Sequence, residues 1–154
     1  MRYLSHGALF ILLLVASAQF AAAGEAGGNN IVVVKPATTT QLPNGMTYTT
    51  TGNSQVCLMT DPDHPLNDAT GDCDGACVGT GDSDPACMGS CTWVDSDGDI
   101  AFFTWGGNAT VGTWKMENGT GKWADASGSG TWETTGAFTG GLTRNSWSGS
   151  IEMD

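Results

Sequence analysis

The alternation of apolar and polar residues predicts β-strands along most of the chain. Short runs rich in β-branched and aromatic residues are separated by clusters of glycine, asparagine, serine and aspartate, which is the pattern of strands and turns. The first such runs are residues 31–34, 46–51 and 55–60, and Gly52 and Asn53 predict a hairpin turn between the last two. No segment after the N-terminal region keeps the i, i+3, i+4, i+7 apolar spacing of an amphipathic helix. We therefore predict an all-β domain.

The spacing of the tryptophans indicates how these strands are arranged. Trp105, Trp114, Trp123 and Trp132 follow one another at intervals of about nine residues, the length of one strand plus a tight turn. The spacing predicts an antiparallel meander in which TGKWA, around Trp123, is one of the strands. A meander of about eight strands has no free edge once it closes, so we predict a closed up-and-down barrel. We expect indoles to fill its interior and glycines to allow tight turns and curvature.

Residues 61–89 differ in composition from the rest of the chain. They contain seven aspartates, three prolines and three cysteines, and hardly any large apolar side chain. Such a segment cannot build a core of its own, so we predict one long acidic surface loop, held together by disulfides and attached to the barrel.

The N-terminal segment has the organisation of a secretory signal peptide. Arg2 precedes an apolar stretch that ends in small residues at Ala23, so we predict that residues 1–23 are cleaved off. The stretch is too short to cross a bilayer comfortably, and no later one approaches ~18 apolar residues, so we expect no membrane span. Residues 24–30 are predicted to be a flexible leader, and residues 31–154 a single barrel domain that is secreted or periplasmic.

The negative charge of the chain argues against some partners. There are 16 acidic and 5 basic residues, for a formal net charge of −11, and cleavage of the signal peptide also removes the basic residue Arg2. Such a surface repels phosphate backbones and anionic membranes, so we expect no nucleic-acid partner. Solubility explains this acidity more simply than attraction of a cationic partner does.

The five cysteines favour disulfides, because the domain is predicted to be exported. Their odd number leaves at least one outside any intrachain pair. We predict a cross-strand disulfide between Cys57 and Cys91, since Cys91 shares a face with Trp93 on a strand that could neighbour the Cys57 strand. Two of the three cysteines in the acidic segment are expected to hold the loop, with Cys73 and Cys87 as the named pair.

The glycine-rich stretch around Lys122 does not match a phosphate-binding loop. Such a loop needs an upstream glycine and a serine or threonine directly after its Gly-Lys pair, and Met116 and Trp123 occupy those positions. A serine triad is also unsupported, because the chain lacks GxSxG and has only His64 outside the predicted signal peptide.

The stretch DSDGD places three carboxylates, Asp95, Asp97 and Asp99, within five residues. Closely spaced oxygen ligands are what Ca²⁺ requires, but aspartate and glycine are also what a tight hairpin turn requires. The EF-hand pattern fails, because its glycine stands at the sixth position of the loop and Gly98 stands at the fourth. We therefore expect a turn and no cofactor, with calcium at these aspartates or in the acidic loop as the alternative.

The stretches DSDGDIAFFTW and NGTGKWADASGSGTW together resemble the allene oxide cyclase barrel-like family of exported bacterial proteins. Members of this family pair a D-x-DGD-x-x-x-x-x-W stretch with a G-T-G-K-aromatic-A-G-x-x-G-x-G-x-W stretch in this order. The match covers about Cys91 to Trp132, with a weaker likeness around Cys57, and it departs from the family at Asp125, where glycine is expected.

The resemblance implies an eight-stranded antiparallel barrel related in architecture to plant allene oxide cyclases. Those enzymes cyclise an unstable epoxide of an oxygenated fatty acid in an apolar cavity. Most bacterial members have no assigned reaction, and we carry no catalytic residue over to this chain.

Together these observations favour a binding protein over an enzyme. A closed barrel of this size can hold one small ligand, so we predict that a small apolar or amphipathic molecule binds in its interior or mouth. The predicted lining residues are Phe103, Trp105, Trp114 and Trp132. One alternative is an isomerase or cyclase acting on a lipid-derived epoxide, as the resemblance implies. The other is a structural or interaction module of the cell envelope, organised by calcium through the acidic loop. The sequence leaves the oligomeric state open.

Overall fold

The computed structural model describes residues 24–80 and 83–153, which form nine β-strands and three short 3-10 helices. The strands are β1 (Gly24–Val34), β2 (Thr38–Gln41), β3 (Met46–Met59), β4 (Thr70–Thr80), β5 (Ala86–Val94), β6 (Ile100–Gly107), β7 (Val111–Gly119), β8 (Ser127–Ala137) and β9 (Leu142–Glu152). The 3-10 helices are Pro43–Gly45, Gly121–Trp123 and Thr139–Gly141. Within the described residues, no helix has the length and hydrophobicity needed to cross a bilayer.

Eight of the nine strands close into an antiparallel barrel. β3 to β9 follow one another as a meander, and β1 lies between β9 and β3. Residues 24–33 pair with β9, and residues 28–34 pair with β3. The short strand β2 lies outside the ring, where it pairs with the first half of β3. The predicted closed up-and-down barrel of about eight strands is therefore confirmed.

The two ends of the barrel are built differently. At one end, the closed end, the β3–β4 and β7–β8 connections bury apolar side chains over the interior: Leu66, Ala69, Trp123 and Ala126 are all at most 3% exposed. At the opposite, open end, no described residue of the β4–β5, β6–β7 and β8–β9 connections is buried. Leu66, Ala69, Trp123 and Ala126 form the plug of the closed end, and the interior is covered at this end only.

Residues 24–30 belong to a barrel strand, contrary to the predicted flexible leader. Each of them pairs with a residue of β9, and Ala26 and Asn30 are buried. Their glycine-rich composition reflects close packing, because a Cβ on Gly28 would collide with the backbone of Leu58 and Met59. The predicted signal peptide, residues 1–23, lies outside the described residues.

The acidic segment 61–89 carries disulfide-bonded cysteines as predicted, but only part of it is a loop. Residues 70–80 form β4, and the last residues of the segment begin β5. On β4 the alternate residues Gly71 and Cys73 are buried, whereas Asp72 and Asp74 between and beside them are exposed. Composition alone concealed this strand, because glycine and cysteine replace large apolar residues on its inner face.

Two other local predictions are wrong. β3 continues without interruption through Gly52 and Asn53, since these residues pair with β4, and Asn53 also pairs with β1. TGKWA is not a strand: Gly121–Trp123 is a 3-10 helix, and it places Trp123 in the plug of the closed end. Gly121 has φ +52°, a conformation that ends strand pairing there.

The disulfides are Cys73–Cys91 and Cys77–Cys87, and Cys57 is a buried free cysteine. Both bonds join directly paired positions of β4 and β5. The predicted Cys57–Cys91 bond is wrong because β4 lies between β3 and β5, and Cys73 stands opposite Cys91. The prediction that two of the three cysteines of residues 61–89 pair with each other is confirmed by Cys77–Cys87. The named pair of Cys73 with Cys87 is wrong, because Cys77 stands opposite Cys87.

Candidate functional site

A cavity of about 140 Å³ lies inside the barrel. Its deepest lining residues, Cys57 and Leu66, are at most 2% exposed. Trp105, Trp132 and Asn145, which lie toward the open end, are partly exposed. The cavity therefore extends from the plug of the closed end toward the open end. Its full lining is Asn30, Asn53, Gln55, Cys57, Leu66, Cys73, Cys91, Trp93, Phe103, Trp105, Trp114, Trp132, Asn145 and Trp147.

Aromatic side chains from β5 to β9 form one side of the cavity. All four residues predicted to line the interior, Phe103, Trp105, Trp114 and Trp132, lie in this lining. They contact one another edge to face: the ring centroids of Phe103 and Trp114 are 5.7 Å apart, and those of Trp105 and Trp132 are 6.2 Å apart. Aromatic rings prefer this arrangement, because the positive edge of one meets the negative face of the other. Contacts between neighbouring rings thus hold the aromatic side together.

Glycines on neighbouring strands make room for these indoles. Trp114 stands opposite Gly130 of β8, which in turn pairs with Gly149 of β9, and the indole lies over both. Trp105 lies in the same way over Gly89 and Gly75 of β5 and β4. A Cβ at any of these glycines would overlap the ring. The glycine-rich sequence therefore lets large rings lie against the barrel wall while the centre stays open.

Amide side chains on β1, β3 and β9 form the other side of the cavity. The Trp147 Nε1–H donates to Asn30 Oδ1 at 3.1 Å, and Asn30 Nδ2 donates to Gln55 Oε1 at 2.8 Å. Gln55 Nε2 then contacts the sulfur of Cys73 and lies 4.0 Å from that of Cys91. This chain of contacts orients the Gln55 amide, so that its NH₂ group faces the disulfide.

Several polar atoms of the lining residues have no partner. The buried indole nitrogens of Trp105, Trp114 and Trp132 make no hydrogen bond to the described protein, and neither does Asn53 Oδ1. The large majority of buried polar groups in proteins do have partners, so four unpaired atoms around one cavity require an explanation.

Cys57 is the titratable group of the lining. Burial raises the pKa of its thiol to about 12, although the Trp147 N–H favours the thiolate and lowers that pKa. The thiol therefore stays protonated at neutral pH, and a protonated thiol is a poor nucleophile. Its sulfur packs 3.4 Å from Met59 Sδ.

The three aspartates of DSDGD surround a lysine of the neighbouring connection. Lys122 Nζ lies 2.7 Å from Asp95 Oδ2, 2.6 Å from Asp97 Oδ2 and 3.7 Å from Asp99 Oδ2. Asp95 Oδ2 also accepts a hydrogen bond from Trp123 Nε1 at 2.8 Å, and Asp95 Oδ1 accepts from two backbone N–H groups of its own turn. The turn predicted for this stretch is thus present. The cation held between its three carboxylates is the ammonium group of Lys122. Binding of Ca²⁺ here stays a prediction, and it would require Lys122 to leave.

The pKa values in this cluster follow from these contacts. Burial raises the pKa of Asp95, but the hydrogen bonds from Lys122, Trp123 and the backbone outweigh it, and the pKa falls to about 2. The hydrogen bonds to Asp95 and Asp97 raise the pKa of Lys122. Nearby, His64 stacks on Trp123, and burial lowers its pKa. Asp95 and Lys122 therefore form an ion pair, with the Asp95 carboxylate buried, beside the apolar side chains of the closed end.

Sequence reasoning missed the polar half of the lining. Asn30 was placed in a leader and Asn53 in a turn, so neither was expected to face the interior. The two missed tryptophans, Trp93 and Trp147, do follow the strand alternation, since Trp93 shares a face with Cys91 and Trp147 alternates with small residues. If one strand runs without a break through Gly52, its alternation places Gln55 on the same inner face as Cys57.

Two solved structures share this architecture. The chain aligns with the pterocarpan synthase dirigent protein GePTS1 at a TM-score of 0.55 and 12% identity, covering 97% of this chain and 100% of that one. It aligns with the pterocarpan synthase dirigent protein PsPTS1 at a TM-score of 0.54 and 14% identity, covering 88% of this chain and 97% of that one. The fold is similar to that of these dirigent proteins.

A third structure, pyocyanin demethylase, aligns at a TM-score of 0.46 and 15% identity, covering 79% of this chain and 98% of that one. No protein-family model and no curated protein sequence matches the chain. At these identities the similarity establishes the barrel fold alone, because unrelated functions share common folds.

Proposed function

We propose that this protein is an exported barrel that binds a small apolar or amphipathic molecule in its cavity. The observation that carries the proposal is an interior space of about 140 Å³ surrounded by one phenylalanine and five tryptophans. Protein interiors are normally packed without such voids, and rings of this size could fill the space if they did not lie over glycines. The arrangement keeps an aromatic cavity open toward one end of the barrel.

The size and chemistry of the cavity agree with a small ligand. An apolar cavity of comparable volume holds a molecule about the size of benzene, and a larger ligand would extend through the open end. The unpartnered indole N–H groups of Trp105, Trp114 and Trp132 would gain from a ligand that brings acceptor atoms near them. Two barrels of the same fold are named pterocarpan synthase, and a small-molecule partner for this chain agrees with those names.

Binding is a better account of this cavity than cyclase chemistry. General acid–base catalysis needs a group whose pKa lies near the working pH. Among the lining residues the titratable side chain is Cys57, whose pKa of about 12 keeps it protonated.

The β5–β6 turn and the β7–β8 region carry the two motifs that resemble the allene oxide cyclase barrel-like family, and these motifs support a common ancestry with that family. Export is supported by the two disulfides, which are compatible with an extracellular or periplasmic location.

Native mass spectrometry of the protein purified from its own host tests the proposal. We expect a co-purifying small molecule that is released when the barrel is denatured. Phe103→Leu removes ring area from the cavity lining, so this variant is expected to retain less of the molecule. Phe102→Leu makes the same change one residue away on the outer side of β6 and serves as the control.

Two results would contradict the proposal. One is the absence of any bound molecule in native spectra together with no binding of small apolar probes added at millimolar concentration. The other is equal retention of the molecule by the Phe103 and Phe102 variants, which would place its site outside the cavity.

A further inference from the structure

Two amide side chains of β3 line the cavity. Asn53 and Gln55 are two residues apart on this strand, so their side chains lie on the same face, and both line the cavity. They stand at different depths: Gln55 is 8% exposed, and Asn53 lies nearer the open end and is partly exposed. The two side chains are therefore close enough in the lining for one small ligand to meet both.

The hydrogen-bonding capacities of these two amides are complementary and incompletely used. Among the residues that the structure describes, the acceptors of Gln55 Nε2 are the sulfurs of Cys73 and Cys91, and sulfur is a weak acceptor. Asn53 Oδ1 is fully buried and has no partner among the described residues, so a ligand reaches it once the Asn53 amide turns toward the cavity. A donor that lacks a good acceptor thus lies two residues from an acceptor that lacks a donor.

The lining is also without charge. None of its residues is an aspartate, glutamate, lysine, arginine or histidine. A charged group on the ligand would lose its hydration inside the cavity and find no counter-ion there, which is costly. The lining therefore suits a neutral ligand, and the tryptophan rings favour a flat hydrocarbon frame.

Building on the proposed function, we propose that the cavity recognises a neutral ring compound that carries a hydroxyl group. The ring packs between the indoles, and the hydroxyl oxygen accepts from Gln55 Nε2 while its proton is donated to Asn53 Oδ1. One hydroxyl can do both, since it is a donor and an acceptor. An ether or a carbonyl at the same place accepts but does not donate, so Asn53 Oδ1 stays unpaired and affinity is lost.

Isothermal titration calorimetry of the mature chain with four probes of similar size tests this inference at pH 7. The probes are phenol, toluene, anisole and benzoate. Toluene has the shape of phenol without hydrogen bonds, anisole keeps the acceptor without the donor, and benzoate carries a charge. We expect phenol to bind about tenfold more tightly than toluene or anisole, and benzoate not to bind.

Variants assign the preference to the two amides. Gln55→Met and Asn53→Leu keep the approximate volume of the side chain and remove its polar atoms, so each is expected to bring the affinity for phenol close to that for toluene. Asn29→Leu makes the corresponding change on the exposed face of β1 and is expected to leave the ratio unchanged.

The outcomes separate this inference from the proposed function. If phenol, toluene and anisole bind equally to the unaltered chain, ring binding stands and the hydroxyl inference is overturned. Binding of benzoate as tight as that of phenol overturns the neutrality of the site. If no probe binds at millimolar concentration, the proposed function itself fails. The affinity ratios of the unaltered chain decide the matter even if a variant does not fold.

Discussion

At the scale of single residues, the barrel depends on pairs of glycine and tryptophan on neighbouring strands. Glycine in a strand usually weakens it, because it adds no packing and restricts the unfolded chain less. Here the ring of a cross-strand neighbour covers the glycine, as Trp114 covers Gly130 and Gly149. The packing that glycine lacks is thus supplied by the indole, and each pair requires both members.

Gly130→Ala is expected to destabilise the protein by about 1–3 kcal/mol, the usual cost of overpacking a filled site. The new Cβ would lie 2.6 Å from Trp114 Cζ2 and would also overlap the Ser148 carbonyl oxygen of the facing strand. Urea unfolding followed by tryptophan fluorescence measures the change in the free energy of unfolding.

Gly106→Ala is the matched control for this substitution. Its Cβ would meet only the Cys87 carbonyl oxygen, at 3.8 Å, which is an ordinary contact. Its free energy of unfolding is expected to stay within about 0.5 kcal/mol of that of the unaltered chain. Equal stability of the Gly130 and Gly106 variants would show that the indole does not need the glycine.

At the scale of elements, the β5–β6 turn and the β7–β8 connection hold each other in place. Asp95 at the end of β5 is bonded to its own turn and to Lys122 and Trp123 of the other connection. Trp123 is fully buried, so the carboxylate fixes the largest side chain of the plug. Loss of the charge on Asp95 would loosen the closed end, because its oxygens accept four hydrogen bonds.

Acid is expected to weaken the protein through Asp95. Its pKa in the folded chain, about 2, lies below the ordinary value of about 3.9, so its stabilising effect is present at higher pH and is lost as the pH falls toward 2. The difference amounts to about 2 kcal/mol between pH 5 and pH 2. In Asp95→Asn this component is missing, so the free energy of unfolding is lower at pH 5 and falls less toward pH 2.

Urea unfolding at a series of pH values measures this effect. Asp125→Asn, which changes an exposed aspartate of the β7–β8 connection, is the control and should keep the pH dependence of the unaltered chain. Parallel curves for the Asp95 variant and the unaltered chain would assign the acid sensitivity to other carboxylates.

At the scale of the whole molecule, one strand closes the barrel. β1 pairs with β9 along most of its length and with β3 along its second half. The ring therefore joins the first described strand to the last one, and its closure removes the two free edges that an open eight-stranded sheet would expose. The cavity exists only in the closed form, since its amide side lies on β1, β3 and β9.

Deletion of residues 24–30 tests this role of β1. The deletion removes seven of the ten residues paired with β9, together with Ala26 of the core and Asn30 of the cavity. We expect the near-ultraviolet circular dichroism of the buried tryptophans to be lost and the chain to associate through its exposed strand edges. Glu25→Gln, which changes an exposed side chain of the same segment without shortening it, is the control and should leave the spectrum unchanged. An unaltered spectrum after the deletion of residues 24–30 would restore the interpretation of this segment as a leader.

Four of the six aromatic lining residues could be predicted from the sequence, and the reason is local. Strand alternation places every second side chain on one face, so the aromatic spacing predicts Phe103, Trp105, Trp114 and Trp132 as inward-facing. The same spacing wrongly places Trp123 on a strand. The same alternation could not identify Asn53, because a glycine and an asparagine in sequence favour a turn when no neighbouring strand is known.

The sequence by itself determined the strand content, the closed barrel and the aromatic interior, because these depend on short-range periodicity and on the need of a long meander to remove its edges. Only the tertiary structure decided which cysteines pair, where Lys122 goes and which amides reach the cavity. These outcomes depend on the order and register of neighbouring strands. β4 separates Cys57 from Cys91 and brings Cys73 opposite Cys91, and no local pattern in the chain records that arrangement.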